Sequence, residues 1–105
     1  MASYNYLPRA DSPLYDWAKI FLAYLATHHA RWNLMEPPEH LSALLAKFET
    51  CLLKCLDPNH GSVDVAEKND VKQQLIKALR DYVQGHIARN IAVTVADRKA
   101  MNLPV

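Results

Sequence analysis

Glycine is nearly absent from this chain, with two in 105 residues, and cysteine is equally scarce. The sequence contains no glycine-rich phosphate loop, no nucleophile elbow and no His-Glu-x-x-His pair, so the common catalytic motifs are missing. Long hydrophobic runs are missing as well. The longest, Trp17 to Ala26, is interrupted by Lys19 and covers about ten residues, whereas a membrane helix needs about twenty. The first residues, MASYNYLPRADSPLYDW, lack the basic-then-apolar pattern of a secretory signal. A soluble, cytoplasmic protein with no membrane partner is expected.

Charge of one sign is also lacking. Twelve Lys and Arg stand against eleven Asp and Glu, giving a formal charge of +1 and a pI near 7.8. A nucleic-acid binder usually shows a basic face and a higher pI, so no nucleic-acid partner is expected. The two cysteines, Cys51 and Cys55, stand four apart in a helical run. Side chains at that spacing have Cβ atoms about 5–6 Å apart, while a disulfide wants about 3.8 Å. Free thiols and a reducing compartment follow.

What the chain does have is apolar residues, at 50%, drawn from Ala and Leu more than from β-branched types. That balance favours helices. The length suits one domain over residues 1–105, large enough to bury roughly 65% of the surface of the unfolded chain.

The pattern along the chain reads as four helices. Residues 1–11 form an irregular arm in which Tyr4, Tyr6 and Leu7 precede Pro8 and can cover part of the core. Ser12 as N-cap, Pro13 at the first helical position and Asp16 in the first turn predict a helix over about 13–30. Its inner face is Leu14, Trp17, Phe21, Tyr24, Leu25 and His28, widened by Ile20. Asn33 suits a left-handed turn, and Pro37-Pro38 prevents the helix from continuing.

A second stripe of Leu41, Leu44, Leu45, Phe48, Leu52, Cys55 and Leu56 predicts a helix over 38–57. Asp57-Pro58-Asn59-His60-Gly61 closes it with the strongest turn signal in the chain. The third helix, about 63–90, carries Val71, Leu75, Leu79, Tyr82, Val83, His86 and Ile87 inward. Glu67, Lys68, Lys72, Lys77, Arg80 and Asp81 mostly point away. Gly85 and Asn90 are places where it can fray. Thr94 and Asp97 have capping-box spacing and predict a short helix over 95–101, ended by Asn102 and Pro104. Short connections between long helices make neighbours antiparallel. The expected fold is therefore all-α: an up-down-up antiparallel three-helix bundle with a short fourth C-terminal helix.

Several segments together carry a family resemblance: Leu7-Pro8 with Asp11, Trp17/Phe21, Asp57-Pro58, Val65-Ala66-Glu67-Lys68-Asn69, Leu79-Arg80-Asp81-Tyr82, and a tail from Val93-Thr94 through Asp97-Arg98 to Met101-Asn102-Leu103-Pro104-Val105. The chain resembles, over nearly its whole length, an uncharacterised family of bacterial helical modules. Such modules often precede a fibronectin-type-III-like domain, which implies that a linker begins near Leu103-Pro104-Val105. The chain has Asn33 and Asn102 where those modules tend to carry glycine, and Ile91 rather than proline after Asn90. The resemblance implies a helical fold and brings no activity with it.

Two ligand clusters emerge from an antiparallel arrangement. His28 and His29 end the first helix, His40 begins the second, and His86 lies at the same level on the third. Imidazole suits transition metals and haem iron, so His28, His40 and His86 form a candidate metal or haem site. The alternative is that they are ordinary histidines hydrogen-bonded at the bundle end. Cys51, Cys55 and His60 form the second cluster, with three candidate zinc ligands and no visible fourth. The alternative there is core filling, since a buried cysteine behaves as a small hydrophobe.

For acid–base chemistry the carboxylates are Asp16, Glu36, Glu39, Glu49, Asp64, Glu67, Asp70, Asp81 and Asp97, most of which fit helix first turns or solvent faces. A pericyclic enzyme on a helical bundle needs inward cations, and Arg80 and Arg89 are expected to point outward. Trp32, by contrast, sits in a connection, where with Met35 and Pro37 it can form an exposed interaction patch. It can instead cap the core. The favoured expectation is a non-catalytic protein-interaction or assembly module, with a protein partner or a homo-oligomer. A metal- or haem-binding bundle and a small-molecule enzyme are the alternatives.

Overall fold

The computed structural model describes residues 6–35 and 37–103. Tyr4 of the arm, Glu36 among the carboxylates, and Pro104 with Val105 of the tail lie outside the described residues. The rest is all-helical, with four α-helices: α1 Asp11–His28, α2 Glu39–Leu56, α3 Ser62–Tyr82 and α4 Val95–Ala100. A 3₁₀ turn, His29–Trp32, extends α1, and a π turn, Val83–Ile87, extends α3. No strand occurs among the described residues.

Helix α1 and its N-cap come two residues earlier than expected, at Asp11 and Ala10 rather than residue 13 and Ser12. Ala10 caps it, without a side-chain hydrogen bond. The first four N–H groups of a helix have no acceptor within it, so Pro13 fits the first turn without forfeiting a bond. The acidic first-turn residue is Asp11, not Asp16, and it is held from across the molecule. Lys68 and Lys72 reach its carboxylate at 2.7 and 2.8 Å. These two lysines, expected to point away, therefore bind the start of α1 to α3. Burial pushes the Asp11 carboxyl up, but hydrogen bonds and charge from the two ammonium groups outweigh it and hold the pKa below the ordinary value.

The core runs along one face of each helix. Leu14, Phe21 and Leu25 of α1, Leu41 and Phe48 of α2, and Leu75 and Leu79 of α3 are wholly buried. Each contributes about 1.5–3 kcal/mol relative to an exposed position. Helix α2 packs mainly on α3 and also on α1. Leu7 of the arm is buried, and Tyr6 lies against Trp17 at 5.9 Å between ring centroids. Trp17 in turn stacks on Phe21 at 5.1 Å. Three inner-face expectations fail. Ile20 is 48% exposed and Leu56 is 77% exposed; Ile20 sits off the Leu14–Phe21–Leu25 stripe, and Leu56 ends α2 just before the turn at Asp57. His86 is exposed as well, because the π turn inserts extra arc and puts Val83 and Ile87 inward.

Both left-handed positions are asparagines, Asn33 at φ 60° and Asn102 at φ 58°. Each terminates a helical turn in the same way. Asn33 and Leu34 donate to Ala30 and His29, while Asn102 and Leu103 donate to Lys99 and Arg98; this is the Schellman pattern. Asn102 also offers its carbonyl to Trp17 Nε1 at 3.3 Å. Asn33→Ala is expected to lower the unfolding free energy by about 1 kcal/mol, and Asn33→Gly to leave it level or slightly higher. Urea unfolding of both variants checks this.

Candidate functional site

The end of the molecule where α1, the 3₁₀ turn and α4 meet is organised by one carboxylate. Thr94 caps α4 by accepting from the Asp97 N–H at 3.1 Å, and Asp97 Oδ2 accepts from the Thr94 N–H at 3.0 Å. This is the reciprocal cap expected from the spacing. The same carboxylate reaches further. Its Oδ1 accepts from the Tyr24 hydroxyl at 2.7 Å, and Oδ2 accepts from Trp32 Nε1 at 3.1 Å. Asp97 is 4% exposed, so it is a buried carboxylate rather than the surface cap its position in the sequence implied. The Tyr24 hydrogen bond leads the causes that hold its pKa down at about 2, helped by Thr94 and Trp32 and opposed by burial. A carboxylate so fully ionised and so occupied is a poor proton acceptor. Its role is to bind α4 to α1.

Around it the aromatic rings stack. Tyr24 and His28 lie nearly parallel with centroids 3.8 Å apart, and Trp32 lies 5.9 Å from Tyr24 and 5.8 Å from His28. Trp32 is 1% exposed. Of the two readings of Trp32, the candidate exposed patch with Met35 and Pro37 is corrected and the core cap holds, because the indole N–H finds a buried acceptor in Asp97. Met35 remains 87% exposed and Pro37 is half-buried. Asn90 Nδ2 donates to the Trp32 carbonyl at 3.0 Å, which fixes the start of the connection that carries Met35.

The histidine trio does not converge. His28 is held by its own helix, with Nδ1 2.9 Å from the Tyr24 carbonyl and 2.7 Å from Thr27 Oγ1. His29 Nδ1 sits 3.2 Å from the Leu25 carbonyl. His40 and His86 instead line one cleft of about 400 Å³, with Gln74, Lys77, Asp81 and Tyr82. Among the described residues no three His, Cys, Asp or Glu side chains are placed to hold a metal ion. The π turn accounts for His86, since it swings that side chain out of the interior where His28 could meet it.

A second cleft, of about 460 Å³, adjoins the first. Asn33, Leu34 and Met35 line it from the connection, and it shares Pro38, Tyr82 and His86 with the other. Together they form a trough that is apolar toward Leu34, Met35 and Tyr82 and polar toward His40, Gln74 and Lys77. Lys77 and Asp81 pair at 3.4 Å, with side chains 80% and 65% exposed. Both are expected on the outward face of α3, and Pro38 and His40 at the start of α2 supply the other wall of the cleft they line.

No family model matches this chain, and no curated protein or solved structure matches it. Its chemistry is therefore read from the residues alone.

At the other end, Cys51 is buried in the core and Cys55 is half-buried, both as free thiols. Cys55 and His60 share a cleft of about 330 Å³ with Asp11, Ser12, Leu56 and Lys68. Cys51 does not line it, so the candidate zinc set of Cys51, Cys55 and His60 is not brought together, and Cys51 fills the core as the alternative has it. His60 Nδ1 is engaged with the Asp57 carbonyl at 2.7 Å. Arg80, expected outward, is half-buried, and its charge acts on the Tyr6 hydroxyl, whose pKa burial raises. Arg98 closes the end of the π turn by donating to the carbonyls of Ile87, Ala88 and Asn90. No helix among the described residues is long and apolar enough to cross a membrane.

Proposed function

We propose that this chain is a non-catalytic protein-interaction or assembly module that engages its partner through the trough beside Met35. One observation carries the reading. A large, flexible apolar side chain stands 87% exposed next to a cleft, on a connection whose start is anchored through Trp32. Methionine adapts to partner surfaces better than any branched side chain. The carboxylate with the strongest shift, Asp97, is engaged in holding helices together, which supports a non-catalytic role.

The scaffold in this proposal is an up-down-up bundle forming a single domain, with α1 and α3 parallel and α2 antiparallel to both. Support comes from contacts between α1 and α3: Asp11 with Lys68 and Lys72 at one level, and Phe21 with Tyr82 further along. Tyr15 of α1 donates to Glu49 of α2 at 2.8 Å, as an antiparallel pair would. We propose also that the chain is one of the bacterial helical modules it resembles. The support is that Asn33 and Asn102, where those modules tend to carry glycine, both adopt the left-handed backbone. Two free thiols support a reducing, cytoplasmic setting.

The test is selection of peptides from a random library, displayed with free C-termini, by the whole protein and by Met35→Glu. Sedimentation equilibrium of both should be run alongside. Met35→Glu is expected to change stability by less than about 0.5 kcal/mol, as an exposed position allows. It should abolish peptide capture or self-association by the parent. A parent that stays monomeric and enriches no peptide would sink the proposal.

A further inference from the structure

We infer that this chain stacks head to tail on copies of itself, the end with the α2–α3 turn of one copy seating on the α4 end of the next. The inference goes beyond the interaction reading above, because it uses neither Met35 nor its trough and names the partner as a second copy. Its basis is where the exposed apolar side chains lie. Seven large hydrophobic side chains are exposed among the described residues, and five of them fall into two groups. Leu53, Leu56 and Val63 form the first, around the turn that joins α2 to α3. Leu53 and Leu56 are three apart on α2 and so share a side of it. Ile91 and Val95 form the second, where the chain leaves the π turn and enters α4, and Ile91 is 99% exposed. Single exposed hydrophobics are ordinary, whereas groups of them mark contact surfaces.

The two groups stand at opposite ends of a rod. Helix α3 and its π turn, from Ser62 to Ile87, rise through about 39 Å, most of the 48 Å length of the molecule. Val63 opens that run and Ile91 follows it, so no copy can bring its own two groups together. Charge separates the same way. The first end, residues 9–16 and 54–72, holds six carboxylates against four Lys and Arg; the second, residues 31–39 and 89–99, holds three against four. Of those three, Asp97 is buried and already accepts from Tyr24, Trp32 and Thr94. Arg89 and Lys99, which flank Ile91 and Val95 in the chain, are exposed. Like ends therefore repel and unlike ends attract, which selects a head-to-tail contact over a two-fold dimer through either end. Such a contact leaves one free surface of each kind, so rod-shaped copies add on without closing. An end face of 29 by 18 Å buries on the order of 1,000 Å² from the two copies together, the low end for a specific interface. A weak contact follows, with Kd on the order of 100 μM.

Sedimentation equilibrium of the full chain at low salt, up to about 1 mM, tests this. The mean mass is expected to rise with concentration and to pass that of a dimer. Leu56→Asn and Ile91→Asn should each weaken association by about tenfold or more, since every contact needs Leu56 from one copy and Ile91 from the next. Both positions are exposed, and unchanged thermal unfolding verifies that the variants fold. An equal mixture of the two variants is the decisive arm: one intact surface on each should restore dimers and nothing larger. Raising the salt to about 0.5 M should weaken association of the parent several-fold, as screening requires. A parent that stays monomeric, or that stops at a dimer, overturns the inference. So does a mixture that associates no better than either variant alone, or association indifferent to salt. If vesicles of phosphatidylserine and phosphatidylcholine take up a monomeric parent but not Ile91→Asn, the α4 end faces a membrane surface, which overturns the second copy. Met35→Glu keeps the two proposals apart, because it should retain head-to-tail association and lose peptide capture. Association lost in Met35→Glu and kept in both asparagine variants would overturn the end contacts while preserving the Met35 reading.

Discussion

Replacing Asp97 by asparagine is expected to lower the unfolding free energy by about 3 kcal/mol, far more than a surface helix cap loses. The carboxylate accepts from Tyr24, Trp32 and the Thr94 N–H at 2.7, 3.1 and 3.0 Å. All three partners are donors. An asparagine keeps the shape, but its NH₂ group must take the place of the oxygen that accepts from Tyr24, which reverses that bond, and all three bonds lose the charge that strengthens them. Urea unfolding followed by tryptophan fluorescence gives the value, and a loss under about 1 kcal/mol would show that the carboxylate is not what holds α4. The same residue sets an acid limit. Its folded pKa, about 2, lies below the ordinary value of 3.8, so its contribution is fully present above pH about 4 and is lost as the pH falls toward 2. Asp11, also lowered by its lysines, acts in the same direction. The parent should therefore lose stability between pH about 4 and 2, and Asp97→Asn should show a shallower fall over that range.

The position of Asp97 explains how much could be read from the sequence. Helix α4 was legible because Thr94 and Asp97 sit at the cap spacing, and the structure makes both reciprocal bonds. What the spacing does not contain is where the outward side of the cap points. That is set by Tyr24 and Trp32, 73 and 65 residues away in sequence. A usable signal was present nonetheless: a tryptophan with an indole N–H in a short connection needs an acceptor if it is to be buried. The four helices were likewise legible from apolar period and turn residues, to within about two residues at each end except for the third, which ends as an α-helix at Tyr82 where a run to about residue 90 is expected. The cation positions were not. Lys68 and Lys72 have outward spacing for a single helix, but they become structural when Asp11 arrives at the start of α1.

The candidate site was legible in a different measure. His40 and His86 do share a cleft, as expected from their level in the bundle, while His28 does not join them. The level came from counting residues, which helix rise makes reliable. The direction came from assuming an unbroken α-helix through Val83–Ile87, and the π turn breaks that assumption. No residue in VQGHI announces a π turn on its own. The walls at Lys77, Asp81 and Leu34 were missed because a cleft between a connection and a helix has no period to read.

Trp32→Ala is expected to destabilise the protein by about 3–5 kcal/mol, the usual loss for a large buried aromatic. The ring is among the largest wholly buried side chains, and it stacks with Tyr24 and His28. Trp32→Phe separates much of the packing from the hydrogen bond, since it retains one aromatic ring while removing the indole N–H and the second ring. Loss of a hydrogen bond to a charged acceptor then predicts about 1.5–3 kcal/mol. Because the lost bond ends on Asp97, the two sites are not independent. A cycle of Trp32→Phe with Asp97→Asn should show a coupling of about 1–2 kcal/mol, and strict additivity would mean that the 3.1 Å contact carries no energy. The effect on binding should be opposite to that of an interface hot spot. Trp32→Phe, with its backbone carbonyl still available to Asn90 at 3.0 Å, should stay folded and retain whatever the Met35 trough binds. Met35→Glu should stay fully stable and lose it. If instead Trp32→Phe abolished binding while the fold remained intact, the indole itself would have to contact the partner, which a side chain 1% exposed can do only if the connection opens.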